Sequence, residues 1–205
     1  MNKEARNTGI SILILASGFA RRMRGADKVL QHVDGVPLLR RLAIAATRVC
    51  DDVAATLPDP PGERARALIG TDARGVLVPD AQEGMAAAIR AGVAALPARA
   101  RAVMLVPGDM PELGEADFAA LARAFDPAHP TILRATAADG RPGHPVVFPR
   151  DCFAALASLS GDRGARPVLE RAADRVWPVA LPGTHAITDL DTPEEWAAWR
   201  RRTGL

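Results

Sequence analysis

The chain has 205 residues, 48% hydrophobic and 24% charged, which suits one globular domain spanning 1–205 and excludes a fibrous or disordered chain. A formal net charge of +2 gives no overall support for a nucleic-acid binder, so no nucleic-acid partner is expected. Its two cysteines, Cys50 and Cys152, have no metal-ligand spacing and read as small apolar residues of a reduced cytosol.

Met1 to Gly9 is polar. The apolar run Ile10–Ala16 is too short to cross a membrane and reads as a buried strand ending at Ser17-Gly18. With no leader visible, the expected compartment is the cytoplasm, without a membrane partner. Pro37–Cys50 carries apolar residues at helical spacing behind a first-turn proline. Strands follow at Asp52–Leu57, Gly75–Val78, Arg101–Val106 and Thr131–Ala135. Between them lie helical patterns at Ala65–Ile69, Met85–Leu96 and Glu115–Phe125. Pro145–Phe148 and Arg175–Ala180 are further strands, and Arg150–Leu159 and Ala165–Ala173 further helices. The last helix opens on Thr192 as N-cap, Pro193 at N1 and Glu195 completing a capping box. Such alternation implies a mostly parallel sheet covered by helices on both faces, with ligands beyond the strands' carboxyl ends.

The first such end carries Leu15, Ala16, Ser17 and Gly18, whose small side chains let backbone amides approach an anion. Arg21, Arg22, Arg24 and Lys28 follow, four cations within eight residues. Amides plus cations are what a triphosphate needs; a solvated basic loop has the same composition. Neither G-x-x-x-x-G-K-[ST] nor G-x-G-x-x-G is present. Lys28 and Lys3 are the only lysines in a chain that otherwise uses arginine, and Lys3 sits in the polar tail. Lysine offers a compact point charge where arginine offers a planar fork.

Arg101–Val106 runs into Pro107-Gly108-Asp109-Met110-Pro111. An Asp on a tight turn at a strand end either binds Mg²⁺ or satisfies turn amides. In Thr188-Asp189-Leu190-Asp191-Thr192, two carboxylates two residues apart share a side if the segment is extended. Asp191 also sits where a carboxylate favours a helix dipole.

Taken together, these segments resemble the MobA-like nucleotidyltransferases and, within them, the molybdenum cofactor cytidylyltransferase branch. That family opens on L-A-A-G-x-S-x-R-M-G-x-x-K-x-L; here Leu15–Leu30 keeps Arg22, Met23, Lys28 and Leu30. Its G-D-M-P is Gly108–Pro111, its G-H-P-V-x-F is Gly143–Phe148, and its G-D-x-G-A-R is Gly161–Arg166. Its D-x-D-T-P-E-D is Asp189–Glu195, with Glu195 in the last place. The departures are Ser17 for Ala, Ala20 for Ser, Arg24 for Gly, and Gly84-Met85-Ala86-Ala87-Ala88 for a Ser-rich stretch.

The resemblance implies a Rossmann-like three-layer α/β/α fold of the nucleotide-diphospho-sugar-transferase type. It implies transfer of CMP from CTP to molybdopterin with release of pyrophosphate, dependent on Mg²⁺. Arg22 and Lys28 would hold the triphosphate, with Asp109 the third catalytic residue. Asp109, Asp189 and Asp191 are the expected metal ligands, and Pro79-Asp80 the turn near the base. His144 falls by the acceptor or stiffens a Gly-His-Pro turn; Asp162, Arg163 and Arg166 fall near the acceptor pocket. A molybdenum hydroxylase is the implied recipient of the product. Two rivals stand beside this reading: a nucleotidyltransferase for another small phosphate acceptor, using GTP or a sugar phosphate, and a non-catalytic nucleotide-binding maturation factor.

Overall fold

The computed structural model of the chain describes residues 9–19 and 21–205, with only the backbone of Arg21. Lys3, Ala20 and the Arg21 side chain lie outside the described residues.

Six apolar residues, Ile10–Leu15, form β1. A small antiparallel hairpin follows, β2 (His32–Val33) and β3 (Val36–Pro37), turning on Asp34 and Gly35, both with positive φ. Then come α1 (Leu38–Thr47), β4 (Asp52–Pro58), α2 (Gly62–Leu68), β5 (Arg74–Val78) and α3 (Met85–Ala94). The second half runs β6 (Ala102–Pro107), α4 (Glu115–Ala124), β7 (Ile132–Thr136), β8 (Pro142–Pro149), α5 (Phe153–Ala157), α6 (Arg166–Arg171), β9 (Val176–Ala180) and α7 (Pro193–Thr203).

Seven strands form one sheet in the order β5-β4-β1-β6-β8-β7-β9. β8 runs antiparallel to both its neighbours; the other pairings are parallel. Successive side chains of β1 point to opposite faces, as a strand requires. Ile12 and Ile14 pack with Leu42 of α1, Phe118 of α4 and Trp196 of α7, while Leu13 packs with Ile89 of α3, Leu156 of α5 and Val168 of α6. The result is three layers with a mostly parallel sheet in the middle, as the alternating pattern implies.

The helix expected over Arg150–Leu159 is divided, a 3-10 turn at Arg150–Cys152 leading into α5. The Gly-His-Pro turn is not a turn, because Gly143, His144 and Pro145 all lie inside β8. Cys50 and Cys152 are buried and unbridged. Among the described residues no helix is long and apolar enough to cross a membrane.

Candidate functional site

The carboxyl ends of β1 and β6 lie side by side, paired up to Leu15 and Pro107. Gly108 permits this approach: a Cβ there would stand 2.9 Å from the Leu15 carbonyl oxygen, which instead accepts the Gly108 amide at 3.0 Å. Asp109 therefore projects from a turn pressed against the loop that leaves β1. A third segment is the one leading into α7, where the Leu190 amide donates to the Asp109 carbonyl at 3.2 Å.

Lys28 binds these segments together. Its ammonium donates to Asp109 Oδ2 and to Asp191 Oδ1, the latter at 2.9 Å. Arg22 reaches the other Asp191 oxygen at 2.6 Å. Burial works to lower the Lys28 pKa, but the two carboxylates outweigh it and hold it above its ordinary value. Asp109 does not cap turn amides: Oδ2 goes to Lys28, and Oδ1 is buried with no partner. Asp191 does not cap α7 either. That cap belongs to Thr192, whose hydroxyl accepts the Glu195 amide at 3.2 Å, while Glu195 accepts the Thr192 amide at 2.9 Å. The Asp191 carboxylate is left for Lys28 and Arg22.

These residues edge a cleft of about 440 Å³, lined also by Leu15, Ala16, Ser17, Gly18 and Asp162. Of the loop cations described, Arg22 and Lys28 face it, and Arg24 turns away to pair with Glu194. Asp189 is outside the lining and exposed, yet burial of its carboxyl, then the nearby Asp109 and Asp191, raise its pKa. Pro79 and Asp80 also miss the cleft; the 3-10 turn after them presents Ala81 and Gln82 instead. Gly84 ends that turn at φ 103°, where a Cβ would collide with Asp162 Oδ1. Ala86 and Ala87, in the stretch that departs from a Ser-rich pattern, are helix packing, and Ala88 faces the cleft.

His144 lines a second cavity, of about 640 Å³, that shares Leu15, Met85 and Asp162 with the first. Its lining is apolar at Ile89, Leu105, Val146 and Phe148 and charged at Arg134, Asp162, Arg163, Arg166 and Glu170, with Arg163 and Arg166 both paired to Glu170. Burial, helped by Arg134, pushes the His144 pKa down to about 4, so the ring is neutral at pH 7. Its Nδ1 is buried without a partner.

Two residues without a sequence signal organise the site. Arg64 of α2 bonds Asp27 and the carbonyls of Ala16 and Gly18. Glu112 accepts from Thr184 (2.8 Å), Thr188 (3.0 Å), Trp199 Nε1 (3.0 Å) and Arg202, tying the segment before α7 to the Asp109 turn. Nothing in their spacing marks either one, because each acts on residues far along the chain.

The MobA-like NTP transferase domain matches residues 12–176. A protein of Burkholderia vietnamiensis named molybdenum cofactor guanylyltransferase is 36% identical, with 94% of this chain and 96% of that protein covered. The structure of Rv0371c from Mycobacterium tuberculosis superposes with a TM-score of 0.76 at 29% identity, over 94% of this chain and 98% of that one. Rv0371c is also described in complex with manganese, with a TM-score of 0.75 at 27% identity, covering 92% and 96%.

Proposed function

The chain belongs to the MobA-like NTP transferase family and is a nucleotidyltransferase, and we propose that it transfers a nucleoside monophosphate from a nucleoside triphosphate to the terminal phosphate of molybdopterin. The observation that carries the reading is the Asp109–Lys28–Asp191 bridge at the edge of the small-residue loop, in one cleft at adjoining strand ends.

An acceptor phosphate oxygen attacks the α-phosphorus; the new O–P bond forms as the bond to the β-phosphate oxygen breaks, and pyrophosphate leaves. That nucleophile is already an anion, so the chain need not supply a strong general base. Its task is positioning and charge neutralisation. Arg22 and Lys28 hold the triphosphate, and Lys28 meets negative charge as it builds on the leaving pyrophosphate.

The carboxylates fit a hard divalent cation such as Mg²⁺. Lys28 already places a positive charge between Asp109 and Asp191, and Asp109 Oδ1 has no protein partner. Among the described residues no three acidic, His or Cys side chains converge as a complete metal shell, so substrate oxygens would supply the rest. Asp109 and Asp191 would hold the ion, with Asp189 beside them; when bound it supplies charge neutralisation at the reacting phosphates. The manganese complex of Rv0371c supports a metal in this family.

The second cavity suits the acceptor, since its apolar side chains take a flat ring and Arg134, with Arg163 and Arg166 exchanging their Glu170 partner, takes its anionic end. Two observations divide over the nucleotide. Gly143–Phe148 and Gly161–Arg166 resemble the cytidylyl branch and favour CTP; the name of the Burkholderia relative favours GTP. A molybdenum hydroxylase would receive the product of the CTP reaction. Pyrophosphate release with each of the four NTPs, with and without molybdopterin, tests the proposal. Release that needs molybdopterin and prefers one of these two nucleotides supports it, and release indifferent to molybdopterin removes the acceptor assignment.

A further inference from the structure

Arg64 is the most buried cation among the described residues, with its side chain 8% exposed. Taking a guanidinium out of water is costly unless its donors are met. Here Nε donates to Asp27 Oδ2 at 2.6 Å, and one terminal nitrogen donates to the carbonyls of Ala16 (2.6 Å) and Gly18 (3.0 Å). All three acceptors belong to the loop between β1 and Lys28, one group at each end of it. Asp27 also accepts the Val29 amide at 3.1 Å, so the same carboxylate that meets Arg64 caps the turn carrying Lys28.

The consequence follows from peptide geometry. Across a trans peptide the C=O and the next N–H point in opposite directions. With the Ala16 and Gly18 carbonyls turned toward Arg64, the amides of Ser17 and Phe19 are turned away from it. Both residues line the first cleft, and no described residue accepts from either amide. We infer that Arg64 is the positioning residue of this loop, holding two carbonyls so that the Ser17 and Phe19 amides stand ready as donors for triphosphate oxygens. The inference rests on the nucleotidyl-transfer reading. Arginine suits the task because its planar fork holds donors on separate nitrogens in fixed directions, where an ammonium concentrates them on one atom.

The test is calorimetric binding of CTP and GTP, each with Mg²⁺, to the wild type, Arg64→Lys, Arg64→Ala and the pair Arg64→Met with Asp27→Asn. Thermal melts accompany each. Arg64→Lys keeps the charge and is the variant chosen to fold; its affinity for the bound nucleotide should fall about tenfold or more. The double variant removes both charges and should remain weak, which separates positioning from simple attraction. Millimolar guanidinium, but not urea at the same concentration, should restore nucleotide affinity to folded Arg64→Ala, with no more than the small rise in melting temperature that a weak ligand brings, a result a purely structural role does not give. Wild-type affinity in Arg64→Lys or in the folded double variant overturns the inference alone. A wild-type chain that binds neither nucleotide overturns the transfer reading and this inference with it.

Discussion

Removing the Lys28 ammonium strikes the centre of the site. Its nitrogen bridges Asp109 and Asp191, and the three side chains are 20%, 14% and 18% exposed. Lys28→Ala leaves two carboxylates facing each other with only Arg22, itself 69% exposed, as a counter-charge. Removing one partner from a fully buried pair costs about 3–5 kcal/mol, and the remaining solvent contact reduces this to about 1–3 kcal/mol. In a chain of this size each kcal/mol lowers the melting temperature by about 2–4 °C. The loss should shrink when Mg²⁺ is added, because a divalent cation meets the same two carboxylates. Catalysis suffers separately. One charge-assisted contact to the triphosphate is worth about 1.5–3 kcal/mol, so kcat/KM for the nucleotide should fall about ten- to a hundredfold or more. Lys28→Arg should recover part of that at most. The assays are thermal melts with and without Mg²⁺ and steady-state pyrophosphate release at saturating acceptor. A folded Lys28→Ala protein with wild-type kcat/KM would remove Lys28 from the triphosphate site.

Three further outcomes are expected. Asp109→Asn should fold and lose most turnover, because a cleft carboxylate with a free buried oxygen becomes a neutral amide; unchanged kcat removes Asp109 from the site. His144 has a folded pKa depressed from 6.5 to about 4, so between those values the unfolded chain binds a proton that the folded chain refuses. Its contribution is present above pH 6.5 and is lost as pH falls toward 4, by up to about 3 kcal/mol; His144→Phe should flatten the melting temperature between pH 7 and 5, and an unchanged slope counts against it. Arg24 stands at φ 52° and spends only an exposed ion pair with Glu194, so Arg24→Gly should raise stability by up to about 1 kcal/mol in a denaturant titration, and a clear loss contradicts that.

What was legible in the sequence was local. The apolar run of β1 and the Thr192–Pro193–Glu195 start of α7 follow from burial and capping, and both stand where the pattern puts them. The β2–β3 hairpin had a signal in Asp34-Gly35, a pair suited to positive φ, that the helix-and-strand alternation passed over. Lys28, Asp109 and Asp191 fall on three separate segments whose meeting no spacing encodes, and the family resemblance supplied that link. Pro79-Asp80 lies outside the lining of the first cleft, where the 3-10 turn after it presents Ala81 and Gln82, a local swing that no spacing encodes. Arg64 and Glu112 were invisible: one is 46 and 48 residues from the carbonyls it holds, the other 72 to 90 from its donors.

Whether the chain transfers a nucleotidyl group is decided by following the α-phosphate itself. The purified chain is incubated with Mg²⁺, molybdopterin and CTP or GTP labelled at the α-phosphorus, and the products are separated and weighed by mass spectrometry. Label is expected to leave the nucleotide, to appear in molybdopterin linked to one nucleoside monophosphate, and to do so in equal amount to the pyrophosphate released. Molybdopterin recovered unlabelled from both reactions, with the folded chain present and the triphosphates intact, would contradict nucleotidyl transfer.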